Sequence, residues 1–286
     1  MRTEQNPIGG PAGRHVLPPP AGWAGHRPGA WIVLGLGYLA ALALGAGGAS
    51  AWALLSGQPM TGLAFALGAV YLAHIVGLGV WGLWGPPRPS RTGALTSTDN
   101  GPSGVSFPYS AWAYYWLTAI LVMTTLGVGV ITAFAAATAT AKGLPVVAIL
   151  VVLTLGPLWL LVTMLRLAPG RITLSPTGVY HRSLTFTHFV PWYAIVEISA
   201  VWAGFPRIVA KALPSEDTRL IRYGGRFGTP EFLPFLVVRA RWLSADPVVA
   251  YHALSFYHAH PDQRSELATP AALERISNGR TVNQDH

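Results

Sequence analysis

Residues 31–84, WIVLGLGYLAALALGAGGASAWALLSGQPMTGLAFALGAVYLAHIVGLGVWGLW, contain no Asp, Glu, Lys or Arg. A second stretch, from Ala111 to Met164, carries only Lys142. A helix at the surface of a water-soluble domain keeps a charged outer face, so charge-free runs this long read as membrane segments. Each run is too long for one crossing and breaks at turn residues, Ser56-Gly57-Gln58-Pro59 in the first and Lys142-Gly143-Leu144-Pro145 in the second. The reading is four transmembrane helices in two tight hairpins, near 31–55, 60–84, 112–138 and 144–165. Each exceeds the roughly 20 residues that cross a bilayer as a helix.

Composition agrees. Of 286 residues, 51% are hydrophobic and only 10% charged, against about 25% charged in an ordinary soluble domain. The absence of Cys excludes disulfides, thiolate zinc sites, iron–sulfur clusters and a cysteine nucleophile. Lys and Arg together number 19 against 11 Asp and Glu, and residues 166–286 hold 13 of the basic and 9 of the acidic side chains. The chain therefore divides into a membrane half and a charged half.

Loop charge sets an expected orientation. Arg2, Arg14 and Arg27 precede the first span, Arg88 and Arg91 lie in the middle loop, and Arg166 and Arg171 follow the last span. The two tight turns carry only Lys142, so both termini and the loop 85–111 are expected in the cytoplasm, with the protein in the plasma membrane. Trp31, Trp81, Trp84, Trp112, Tyr114, Tyr115 and Trp116 fall at the same ends, where amphipathic rings favour the headgroup layer. The tail 1–30 and residues 278–286 read as disordered, and 85–111 as a flexible loop. A polar Pro/Gly-rich start ahead of a long apolar run argues against a secretory signal peptide.

Small residues at four-residue spacing, such as Gly37, Ala41, Gly45 and Ala49, allow close helix packing. Within the chain they build the bundle; between chains they would allow a homo-oligomer or a larger membrane complex. His74 is the one side chain in the spans that titrates near neutrality, and Thr124 and Thr125 lie at similar depth. A hydrogen-bonded pin between helices is the favoured reading over a substrate pathway.

After Arg166 short apolar runs alternate with turn residues. Strands are expected at Ile172–Ser175, Val179–Leu184, Phe186–Val190, Val196–Val201, Arg207–Ala212, Arg219–Tyr223 and Phe235–Arg241. Asp246-Pro247 would cap a helix running to about Ala259, and Pro270–Ser277 forms a second. This is an α+β arrangement, a bent antiparallel sheet plus a C-terminal helix.

The run Arg171-Ile172-Thr173-Leu174-Ser175-Pro176-Thr177-Gly178-Val179-Tyr180, followed by Val190-Pro191-Trp192-Tyr193-Ala194-Ile195, resembles the opening of bacterial pleckstrin-homology-like domains. Phe256-Tyr257-His258-Ala259-His260-Pro261 with Arg264-Ser265-Glu266-Leu267 is similar to their end. Such domains often follow paired membrane helices in actinobacterial integral membrane proteins. The resemblance implies a pleckstrin-homology-like domain over 166–277 that binds lipids or partner proteins, and it transfers no enzyme site.

Residues 202–226 place Arg207, Lys211, Arg219, Arg222 and Arg226 near Trp202 and Phe205. Cations beside aromatics suit an anionic leaflet, so Arg166, Arg171, Arg207, Lys211, Arg222, Trp202 and Phe205 are candidate headgroup contacts. The opposing reading packs Trp202 and Phe205 into the core. His252, His258, His260 and Asp262 supply ligand types for a metal at the wrong helical spacing, and His181 and His188 receive no role. With no phosphate loop, metalloprotease pair, nucleophile elbow or kinase set, no enzyme, metal or cofactor is expected, and no nucleic acid. The expected function is a membrane scaffold or accessory protein presenting a lipid- or protein-binding domain at the inner leaflet. The alternative is a small transport or lipid-handling protein using the bundle around His74.

Overall fold

The computed structural model describes residues 17–25, 27–85, 94–98, 101–223 and 235–281. Four long helices, α1 (Ala30–Leu55), α2 (Pro59–Trp84), α3 (Ala111–Thr138) and α4 (Leu144–Leu167), are each long and apolar enough to cross a membrane. At 1.5 Å per residue they reach past a hydrocarbon core of about 30 Å. Their outer surfaces carry Leu34, Leu44, Leu67, Val130, Phe134 and Val152 in the open, an area that water would not tolerate but lipid would. α1 pairs with α2 and α3 with α4, and the two hairpins meet through α2 and α3.

Packing within the first hairpin follows only the end of the four-residue stripe of α1. Gly37, Ala41 and Gly45 are exposed, whereas Ala53, at the far end of the same spacing, is buried beside Ser50, whose Oγ donates to the Gly62 carbonyl at 2.7 Å. At Gly77 α2 and α3 approach closely: the Trp116 ring occupies the space a Cβ there would need. In the second hairpin Thr132 and Thr154 share a hydrogen bond at 3.0 Å.

A sheet-rich region follows, with all strands antiparallel. The larger sheet has the order β1-β2-β3-β4-β5-β8, formed by β1 (Ala94–Thr98), β2 (Gly101–Pro108), β3 (Arg171–Leu174), β4 (Gly178–Arg182), β5 (Phe186–Pro191) and β8 (Arg219–Arg222). The smaller has the order β6-β7-β9, from β6 (Ile195–Trp202), β7 (Pro206–Ala212) and β9 (Leu236–Arg239). Alternate residues of both sheets, among them Phe107, Ile172, Leu174, Val179, Ile208 and Leu236, share one apolar core. α5 (Pro247–Ala259) and α6 (Pro270–Ser277) close it with Leu254, Tyr257, Ala272 and Ile276. Asp246 caps α5 by accepting from the Val248 N–H at 2.8 Å. The Tyr257 hydroxyl donates to Glu266, which also pairs with Arg275 at 2.6 Å, tying α5 to α6.

Three segments depart from expectation. The loop 85–111, expected to be flexible, supplies β1 and β2 in its described part. β2 pairs with β3 in the register Val105↔Leu174, Ser106↔Thr173, Phe107↔Ile172 and Pro108↔Arg171. The reason is that β3 would otherwise be an edge strand with unpaired backbone groups above an open core, and Val105 and Phe107 fill both needs. The long helices and the sheet region are therefore interleaved in sequence, and the sheet region is not confined to 166–277. The tail 1–30, expected to be disordered, docks in part: Leu17 and Trp23 pack on the core, and Trp23 Nε1 donates to the Arg207 carbonyl at 3.2 Å. Gly22 is required there, because a Cβ would overlap the Ala200 carbonyl oxygen. At the other end, residues 278–281 continue from α6 with Thr281 buried. Residues 1–16 and 282–286 lie outside the described residues.

A candidate ligand site between helices and sheets

The ends of the helices nearest the sheets are welded to them. The Tyr109 N–H donates to the Gly170 carbonyl at 2.8 Å and the Ser110 N–H to the Trp242 carbonyl at 2.7 Å. The Gly170 N–H donates to the Tyr114 hydroxyl, Arg182 donates to the Arg166 carbonyl at 3.0 Å, and Arg241 to the Gly85 carbonyl at 3.4 Å. At this junction lies a cavity of about 380 Å³. Leu78 of α2, Leu117, Ile120 and Leu121 of α3, and Leu160 and Met164 of α4 form its apolar side. The sheet side supplies the polar groups of the described lining, among them Arg207, Arg222, Arg239, His181, His188 and Tyr109, set beside apolar Phe186, Leu220, Val237 and Trp242. No Asp or Glu is among the described residues that line it.

Arg207 and Arg239 are direct cross-strand partners in β7 and β9, so like charges project from the same face. Such a pair opposes folding unless an anion or aromatic rings compensate it. Phe205 lies 4.4 Å from the Arg207 guanidinium and 5.9 Å from that of Arg239, and Trp242 lies 4.5 Å from the latter. Arg222 stands opposite Phe186 on β8 and β5 of the larger sheet.

A different chemistry sits beside the arginines. His181 and His188 are direct partners across β4 and β5, both buried. Tyr109 Oη and His181 Nε2 share a hydrogen bond at 2.6 Å, while His181 Nδ1 and His188 Nε2 are buried with no partner among the described residues. Desolvation pushes His181 down to about 3, with the neighbouring His188 adding to it, and desolvation lowers His188 to about 4. Both imidazoles are neutral at physiological pH. Burial likewise keeps the Tyr109 phenol protonated. The cavity thus has an apolar wall, a cationic patch, and an uncharged hydrogen-bonding patch.

Of the headgroup candidates read from sequence, Arg207 and Arg222 line the cavity and Phe205 supports Arg207. Lys211 does not line it; it is exposed and faces Glu197 across β6 and β7. Arg166 and Arg171 lie at the exit of α4, where Arg171 is directly opposite Arg182 in β3 and β4, a second basic patch outside the cavity. Trp202 and Phe205 are half-buried and belong to no core cluster. The polar candidates on the long helices pair otherwise than expected. His74 bonds neither threonine: its Nδ1 meets the Val70 carbonyl at 2.8 Å and its Nε2 the Tyr115 hydroxyl at 3.4 Å. Thr124 instead pairs with Tyr71 at 3.0 Å, and Thr125 donates to its own helix at Leu121. His74 does not line the cavity; Leu78, one turn along α2, does. His252, His258 and His260 bond the carbonyls of Pro18, Ile195 and Phe256.

Sequence reading missed Arg239, Tyr109, His181 and His188. Alternation along β4 and β5 puts both histidines on inward positions, which was the available signal; their partnership needed the register. Comparison with protein-family models, with curated proteins and with solved structures finds no match.

Proposed function

We propose that the chain is a non-enzymatic scaffold or accessory protein of the plasma membrane, which binds an anionic lipid where its helices meet its cytoplasmic sheets. The observation that carries this reading is the cavity lining: six apolar helix residues on one side and three arginines on the other. A lipid divides in the same way, with an acyl glycerol part suited to the helices and a phosphate suited to the guanidiniums. Arg166, Arg171 and Arg182 around the exit of α4 add attraction for an anionic leaflet, on the order of 1 kcal/mol for each cation near the surface. Basic residues at the sheet end of the helices favour that end as cytoplasmic. Two antiparallel sheets with C-terminal helices packed on a common core support a pleckstrin-homology-like reading of the sheet region.

Native mass spectrometry of the full chain, purified in mild detergent, tests the proposal. Anionic phospholipid should remain bound, and Arg207→Gln with Arg239→Gln should lose most of it. Retention of phosphatidylcholine as readily as anionic lipid would overturn the reading and leave a protein-docking module.

A further inference from the structure

The binding of an anionic lipid does not account for His181 and His188. Buried polar atoms in folded proteins are almost always hydrogen-bonded, and these two nitrogens, on cross-strand partners that line a ligand-sized cavity, have no partner among the described residues. A ligand that satisfies them must suit a neutral imidazole, which offers one donor and one acceptor according to tautomer. An ammonium group only donates, and three nearby arginines repel it. A carboxylate only accepts. A hydroxyl does both.

Resting on the lipid-binding reading above, we infer that the site selects a phosphodiester lipid with a neutral, hydroxyl-bearing headgroup, phosphatidylglycerol being the simplest. Its phosphate lies against the opposed Arg207 and Arg239, and its headgroup hydroxyls bond His181 and His188. The acyl chains leave along Leu117, Leu121 and Leu160 toward the bilayer. The low basicity of both histidines keeps this patch uncharged, so it reads hydroxyls without becoming another phosphate site.

The test is a competition in mild detergent, with the full chain and equal amounts of phosphatidylglycerol, phosphatidic acid, phosphatidylserine and phosphatidylcholine, read by native mass spectrometry. Phosphatidylglycerol should be retained about tenfold over phosphatidic acid and phosphatidylserine, the gain expected from one or two additional buried hydrogen bonds. Glycerophosphoglycerol, the same headgroup without chains, should not compete, because the helix wall contributes nothing to it. His188→Leu should bring phosphatidylglycerol down to the level of phosphatidic acid while anionic lipid as a class is still preferred over phosphatidylcholine. Equal retention of phosphatidylglycerol and phosphatidic acid by the unaltered chain would overturn the hydroxyl subsite while the anionic-lipid reading stands. Equal retention of phosphatidylglycerol and phosphatidylcholine would overturn both. The competition on the unaltered chain decides the matter even where His188→Leu folds poorly.

Discussion

Phe107 faces Ile172 across β2 and β3, although the whole α3–α4 hairpin separates them in the chain. Both side chains are buried in the core of the sheet region. The hairpin therefore leaves the larger sheet from one strand and returns to it in the next, so its two inner ends are fixed to adjacent strands.

Phe107→Ala should destabilise the sheet region by about 3–5 kcal/mol, as expected for removing a fully buried aromatic ring. A fragment beginning at Arg166 lacks β1, β2 and the docked N-terminal segment, and should not fold. Thermal melting of the full chain in detergent and the solubility of the fragment check both statements. A soluble, cooperatively melting fragment would refute the interleaved architecture.

The neutral histidines give stability a defined pH dependence. In the unfolded chain an imidazole takes up its proton near 6.5, but in the fold His181 and His188 do so only at about 3 and about 4. Between these values the unfolded state binds more protons, so stability is full above about pH 6.5 and is lost as pH falls toward 4. By pH 5 each imidazole should cost roughly 2 kcal/mol. The melting temperature should fall between pH 7 and pH 5, and His188→Leu should remove part of that fall; a flat profile would contradict the buried, neutral assignment.

Within the helices the shorter of two polar ties between the hairpins is Tyr71 with Thr124 at 3.0 Å, against 3.4 Å for His74 with Tyr115. Tyr71→Phe and Thr124→Val should each lower stability by about 1 kcal/mol or less, and the double variant should cost less than the sum. His74→Ala with Thr124→Val should be additive, because those residues do not touch. A double-mutant cycle by melting in detergent measures both couplings.

The orientation can be read with single cysteines, since the chain has none of its own. Gln58 and Ser103 are both exposed, one in the α1–α2 turn and one on β2. A membrane-impermeant thiol reagent should label Gln58→Cys in intact cells and Ser103→Cys only after lysis. The reverse pattern would invert the topology.

The histidine pair illustrates where sequence reading stops. His181 and His188 each follow the inward alternation of a legible strand, yet residues that stand opposite one another across a hairpin are fixed by the turn between them. Here Ser183 to Thr185 set that register, with the Ser183 N–H bonded to the Phe186 carbonyl at 2.8 Å. Arg239 is similar: nothing near it in sequence marks it, and it meets Arg207 only because β9 pairs with β7.

The sequence by itself determined the four long helices, the strands after Arg171 and the N-terminal cap of α5. A helix satisfies its backbone within one turn, so length, missing charge and local turn residues suffice to place it. The tertiary structure decided the recruitment of β1 and β2 from a Gly-, Ser- and Pro-containing loop, the docking of Trp23, and the joining of Arg207, Arg239, His181 and His188 around one cavity. A strand satisfies its backbone through a partner elsewhere in the chain, so its place depends on which edge is open and which core unfilled, and neither is written in its own residues.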